Sequence, residues 1–264
     1  MEIGYLSVGT PPKPLTERFG EYPAMYQRML ADVLPEARLR IFEVREGKLP
    51  DSVHTCDGYI CPGSDDSVYH PLPWLPPLMA FIRAVHAAAH PFVGICFGHQ
   101  LLAQSLGGSV ERASGGLRLG TRRIEITAPT PWMVPCQTVL HLPFAHRDQV
   151  IRLPPDGQTL ATSDNCPCAM FQAGEASLGI QGHPEFDHPY MQALIELPRP
   201  EKERTEVEMA RKRLALDVDN QLVAEWIAGF FRARGSHGHG EANRTGFPQT
   251  PNPTNNDHTN RRDR

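Results

Sequence analysis

The run Pro91-Phe92-Val93-Gly94-Ile95-Cys96-Phe97-Gly98-His99-Gln100 decides how the rest of this chain is arranged. Phe92, Val93 and Ile95 form a short apolar stretch of the kind that makes a buried strand, and Gln100 to Leu106 reads as a helix. Between them stands Gly94-x-Cys96-x-Gly98, a cysteine form of the nucleophile elbow. A nucleophile on a sharp strand-to-helix turn takes a strained backbone conformation, and bulky side chains two residues to either side would collide. The turn also sets the sulfur near the first N–H groups of the helix, where the helix dipole favours a thiolate.

A thiol needs a base. Ser177-Leu178-Gly179-Ile180-Gln181-Gly182-His183-Pro184-Glu185-Phe186 supplies one, as a second apolar strand that ends in histidine with a carboxylate two positions on. Residues two apart in extended chain project to the same side, so Glu185 can reach the His183 ring and fix its tautomer. Cys96, His183 and Glu185 then make a nucleophile–base–orienter set.

Composition narrows the setting. A chain of 264 residues with 40% hydrophobic residues suits one α/β domain with a real core. A net charge of −4 gives no electrostatic case for nucleic acid or for an anionic membrane surface. No apolar run has transmembrane length, and the N-terminus lacks the charged and apolar regions of a signal peptide, so a cytoplasmic location is expected. Residues 1–9 read as the first strand. Six cysteines do not make a dense disulfide framework, and the spacings of Cys56 with Cys61 and Cys166 with Cys168 miss the usual zinc pattern. His86 and His90 stand four apart on a predicted helix but have no evident third ligand, and no metal is expected.

In chain order, Thr10 to Arg18 reads as a Pro-rich loop, and Gly20 to Leu34 as a helix with Tyr22, Met25, Met29, Leu30 and Val33 on one stripe. Leu39 to Val44 and Gly58 to Cys61 are predicted strands. The second runs into Pro62-Gly63-Ser64, where a glycine at a strand's carboxyl end lets a backbone N–H approach a ligand. Trp74 to Ala89 is a helix whose prolines suit its first turn. Short strands follow at 109–112, 122–127, 138–142, 150–153, 159–162 and 169–172, with helices at 190–197, 201–216 and 220–234. From Ser236 onward almost no apolar residue remains, so the expected division is a domain over 1–235 and a disordered tail over 236–264. Strand–helix alternation with the nucleophile at a strand end implies a mostly parallel sheet with helices on both faces.

Gly94 to Gln100 (GICFGHQ) with Gly182 to Glu185 (GHPE) resembles the class I, triad-type glutamine amidotransferases, over about residues 1–195. His146 to Val150 and Ser163 to Pro167 look like segments of the glutaminase domain of GMP synthetase. The form GIQGHPE, with glycine where phenylalanine commonly precedes the histidine, looks closer to a stand-alone branch that includes plant gamma-glutamyl peptidases. The resemblance implies a flavodoxin-like α/β fold with Cys96 as nucleophile, His183 as base and Glu185 as its orienter. It further implies an oxyanion hole from the N–H groups of Gly63 and Phe97, and substrate contacts from Gln100 and His146. Neither a metal nor an organic cofactor is implied. The implied reaction releases ammonia or an amine from glutamine or a γ-glutamyl amide through a γ-glutamyl thioester. Three roles fit: a glutaminase that feeds a separate ammonia-accepting synthase, a stand-alone γ-glutamyl peptidase, and a non-catalytic ligand-binding relative. Neither a Ser-Gly-Gly-x-Asp-Ser loop nor G-x-x-x-x-G-K-[ST] is present, so this polypeptide is not by itself an ATP-dependent synthetase of those types.

Overall fold

The computed structural model describes residues 1–198 and 203–235. In the first half β1 (Glu2–Ser7), β2 (Arg38–Glu43), β3 (Gly58–Cys61) and β4 (Phe92–Ile95) alternate with α1 (Lys13–Phe19), α2 (Tyr22–Ala31), α3 (Leu75–Ala87) and α4 (Phe97–Ser105). The second half is strand-rich: β5 (Ser109–Arg112), β6 (Arg118–Ile126), β7 (Val139–His146), β8 (Asp148–Arg152), β9 (Gly157–Ser163), β10 (Cys166–Ala173) and β11 (Ser177–Ile180). Helices α5 (His188–Glu196), α6 (Arg204–Arg213) and α7 (Asn220–Gly235) follow.

Nine strands form one sheet in the order β2-β1-β3-β4-β11-β10-β9-β6-β7, and β5 pairs with β8 in a separate ribbon. The pairs from β2 to β11 are parallel and those from β11 to β7 antiparallel. Only β10 and β6 therefore oppose the common direction, and the sheet is mostly parallel, as the alternation predicts. Side chains alternate between two cores, as the period of a strand requires. Ile3, Tyr5, Ile60, Val93 and Ile95 pack with α2 and α7, whereas Leu6, Tyr59, Cys61 and Phe92 pack with α3 and α4. Helices thus cover both faces, and the central strands are apolar throughout because both faces are buried.

Several boundaries differ from the sequence reading. The Pro-rich stretch expected as a loop contains α1, with Pro12 at its N-cap and Pro14 in its first turn, where a missing N–H costs nothing. Helix α4 begins at Phe97 rather than Gln100, directly after the cysteine. Strand β6 begins at Arg118, well before the expected Arg122, and passes through Gly120 at φ +90°. That glycine lets α6 approach closely, since a Cβ there would lie 2.9 Å from the Ala210 backbone. Strand β7 runs on to His146, four residues past the expected end at Leu142. The tail expected over 236–264 lies outside the described residues. No helix among the described residues is long and apolar enough to cross a membrane.

Candidate active site

Parallel pairing places the carboxyl ends of β4 and β11 side by side, with Ile95 opposite Ile180, and the chemistry-bearing residues follow directly. Cys96 is the N-cap of α4 at φ +52° and ψ −101°, a conformation that L-residues rarely adopt. Its N–H donates to the Ile180 carbonyl at 2.8 Å, which ties the strained residue to the neighbouring strand. Both elbow glycines are sterically required. A Cβ on Gly94 would lie 2.4 Å from the Gly98 carbonyl, and one on Gly98 would lie 2.0 Å from the Cys61 carbonyl oxygen. The turn is packed against its own backbone and against β3, so neither neighbour can move aside.

His183 Nδ1 and Glu185 Oε1 are 2.8 Å apart, with both side chains buried. The Tyr26 hydroxyl on α2 donates to the same Oε1 at 3.1 Å. Phe186 stacks on the imidazole with ring centroids 4.1 Å apart and planes 3° from parallel. The ring is held in plane and in tautomer, and Nε2 on its other side has no hydrogen-bond partner among the described residues. Burial opposes charge on His183, but the adjacent Glu185 carboxylate, with the Cys96 side chain beside it, outweighs it and raises its pKa. The imidazolium is the favoured form. Gly63 closes the other side: a Cβ there would sit 3.0 Å from His183 Cε1 and 3.7 Å from Cys96 Cβ. The sequence pair that could reach each other does so, and the predicted glycine lies against both.

These residues open onto a cleft of about 70 Å³, lined also by Gln100, His146, Arg147 and Asp148 on its polar side and by Leu117, Leu119, Phe186 and Leu194 on its apolar side. Gln100 and His146 are both brought to it, with different local roles. The Gln100 amide donates to the Asp148 carbonyl at 2.6 Å and to Gln181 Oε1 at 3.2 Å, so much of its bonding capacity supports the floor. His146 is 4% exposed, and neither ring nitrogen has a partner among the described residues. Burial, with the nearby His183 and His99, lowers its pKa well below the usual histidine value, so it faces the cleft neutral. Phe97 is buried at the first turn of α4, beside the sulfur.

Three contributors escaped the sequence reading. Tyr26 lies inside the helix predicted over 20–34 but outside its apolar stripe, and nothing local signalled its bond to Glu185. Ser67 and Tyr69 both donate to the Asp148 carboxylate, Tyr69 at 3.0 Å, across a large separation in sequence. Among the described residues, four of the other thiols and two imidazoles have structural surroundings, while Cys136 is exposed. Burial pushes Cys56 and Cys166 up to about 12 and raises Cys61 and Cys168 further, which makes them poor nucleophiles. His86 bonds Ser177 Oγ and Asp156 at 3.0 Å each, and His90 bonds the Cys56 carbonyl at 2.8 Å. Among the described residues no group of three or more ligating side chains could hold a metal. All six cysteines are free.

A match to the glutamine amidotransferase class-I family model covers residues 26–196. A gamma-glutamyl peptidase of Arabidopsis thaliana, number 5 of its series, is 33% identical over 165 residues, 59% of this chain and 65% of the plant protein. A glutamine-hydrolysing GMP synthase of Thermosynechococcus vestitus is 39% identical over 99 residues, 37% of this chain and 18% of that protein. The chain thus spans just under two thirds of the plant relative. Among solved structures, a glutamine amidotransferase of Thermotoga maritima superposes with a TM-score of 0.66 at 19% identity, covering 89% of this chain and 97% of that one, which shows a shared fold. With the elbow, the histidine strand and most of the sheet inside the matched span, the chain belongs to the class-I glutamine amidotransferase family.

Proposed function

We propose that this protein is a cysteine hydrolase of γ-glutamyl amides, with free glutamine as its first substrate. One observation carries the reading: Cys96 and His183 lie just beyond the carboxyl ends of adjacent parallel strands, with Glu185 bonded to the far side of the His183 ring. Cys96 Sγ, its proton passed to His183 Nε2, attacks the γ-carbonyl carbon, and the carbonyl electron pair moves onto oxygen. The N–H groups of Gly63 and Phe97 hold that oxygen. The tetrahedral adduct collapses, the C–N bond breaks, and His183 gives its proton to the departing nitrogen. Water then adds to the thioester while His183 takes its proton. The thiolate leaves, and glutamate is released. Glu185 stabilises the imidazolium in both halves. Gln100 and His146 position the substrate, His146 by hydrogen bonds from a neutral ring.

A small cleft suits ammonia as the leaving group ahead of a bulky amine. A separate synthase that consumes the ammonia fits this reading, since one relative is itself a glutamine-hydrolysing GMP synthase. The peptidase reading is favoured by the plant relative. We place the protein in the cytoplasm, consistent with six free thiols. We also assign the catalytic domain to residues 1–235, so that a chain ending at Gly235 keeps its melting temperature and turnover. The test is glutamate release by the purified protein from glutamine and, separately, from glutathione. Glutamine turnover exceeding that of the peptide supports the reading. Rapid peptide cleavage with negligible glutaminase activity, unchanged by any candidate synthase, transfers the assignment to a γ-glutamyl peptidase. Inactivity on both compounds rejects hydrolysis altogether.

A further inference from the structure

Beside the candidate cleft, where α6 lies on β6, Arg118, Arg122 and Arg213 are neighbours, and one of them is paired with a carboxylate. The Arg122 guanidinium pairs with Glu206, which also accepts the Leu119 N–H at 2.8 Å. Arg118 and Arg213 have no carboxylate partner among the described residues. Three guanidinium N–H groups are buried without an acceptor: Nε of Arg118, Nε of Arg122 and Nη1 of Arg213. The Arg122 side chain is nine-tenths buried, at 10% exposure. The three charges share one environment. Burial lowers the Arg122 pKa against the pull of Glu206, and Arg213 and then Arg118 lower it further. The cluster also adjoins the cleft. Arg118 is paired across the ladder with His146, which it and Arg122 help keep neutral, and its chain neighbours Leu117 and Leu119 line the cleft wall.

Each buried donor without an acceptor is destabilising, and three cations around one anion repel one another. An oxygen-rich anion removes both penalties, because a guanidinium fork matches carboxylate and phosphate oxygens. We propose that Arg118, Arg122 and Arg213 form a binding site for a carboxylate or phosphate group on the β6–α6 flank of the cleft. The group comes from one of two sources. One is a free small anion. The other is the carboxylate of the leaving amine when a γ-glutamyl amino acid is cleaved, and that source rests on the activity proposed above.

Two measurements on the full chain separate the sources. In the first, melting is followed in inorganic phosphate and in chloride at matched ionic strength. Phosphate is expected to raise the midpoint by a few degrees, and the rise should vanish in the Arg118→Gln/Arg213→Gln double variant. In the second, kcat/KM is compared for γ-glutamyl-leucine and γ-glutamyl-isoamylamide, which differ only in the leaving group's carboxylate. A preference of about tenfold for the acid, falling to near one in the double variant, assigns the site to the substrate. Arg118→Lys keeps the charge but loses the fork, so it should give an intermediate value. Either effect supports the site. No phosphate effect together with equal turnover of the two substrates overturns it, as does either effect surviving unchanged in the double variant. Should no γ-glutamyl compound be hydrolysed, the proposed activity fails while the phosphate melt still judges the arginines.

Discussion

The two halves of the nine-stranded sheet meet at β11 and differ in how they are built. From β2 to β11 the strands are parallel, lie under helices on both faces, and carry Cys96, His183 and the Gly63 loop at their carboxyl ends. From β10 to β7 they are antiparallel and supply His146, Ala145 and the Leu117–Leu119 wall. In the parallel half each site residue is held from several sides: the elbow by close packing at Gly94 and Gly98, its N–H by the Ile180 carbonyl, and the histidine ring by the Glu185 carboxylate and the Phe186 ring. In the antiparallel half both ring nitrogens of His146 lack a partner among the described residues, whereas on the His183 ring Nε2 alone is without one. On the function proposed above, bond-making belongs to the parallel half and selection of what enters to the other. Changes on one side should move kcat, and changes on the other should move KM.

The largest expected effect is that of Cys96→Ala. Turnover should fall by at least about a thousandfold while the melting temperature changes little, because the substitution removes only a sulfur from a site that is 5% exposed. Mass labelling with a glutamine-like electrophile should mark Cys96 alone among the six thiols. Labelling at another cysteine, or full activity in the alanine variant, would place bond-making elsewhere.

Glu185→Gln comes next, with an expected loss in kcat of about a hundredfold to ten-thousandfold. Its pH profile is the sharper test. The raised pKa of His183 means that the stabilising charge pair is fully present below histidine's unfolded value and is lost as pH rises through the folded one. The wild type should therefore hold its activity into the alkaline range. Without the carboxylate the folded pKa drops, and the alkaline decline should move towards neutrality. An unmoved profile would show that Glu185 does not set the charge on His183.

His146→Gln tests the other half. It keeps hydrogen-bonding capacity but loses the ring, and KM for glutamine is expected to rise about tenfold with kcat nearly constant. A fall in kcat at unchanged KM would break the division between the halves. The smallest effect expected is that of Tyr26→Phe, which removes one hydrogen bond to Glu185 and should cost about threefold to tenfold in kcat. Its alkaline limb should shift slightly in the direction of the Glu185→Gln limb, whereas a purely structural loss would leave the profile in place.

The parallel half was the more legible in the sequence, for a physical reason. An elbow demands small residues at fixed spacing, and a buried strand demands an apolar run, so Gly94, Cys96, Gly98 and the Ser177–Ile180 strand carry local signatures. Strands half open to solvent satisfy weaker rules. The entry of β6 at Arg118 and the extension of β7 to His146 depend on their pairing with each other, which no short window contains. Tyr26 and Asp148 were hidden for the same reason, since their partners stand far away in the chain. Gly182 shows the intermediate case. Its place in a motif was readable, but the reason for a glycine was not: a side chain there would press on Phe144 and Leu142 of β7, with Phe144 Cε1 2.9 Å from the added Cβ.

The hydrogen-bonded contact between β4 and β11 has a consequence for how this chain can change over time. The strands that lead to the sulfur and the imidazole lie one inter-strand step of about 4.8 Å apart, whatever length of polypeptide lies between them. The polypeptide from the end of α4 to the start of β11 carries none of the three residues proposed to react, although its β7 carbonyls brace His183 and the cleft wall. Insertions in its turns, such as the one joining β9 to β10, leave the reacting atoms where they are. A lineage can therefore rebuild those turns to suit new substrates while inheriting the reaction intact.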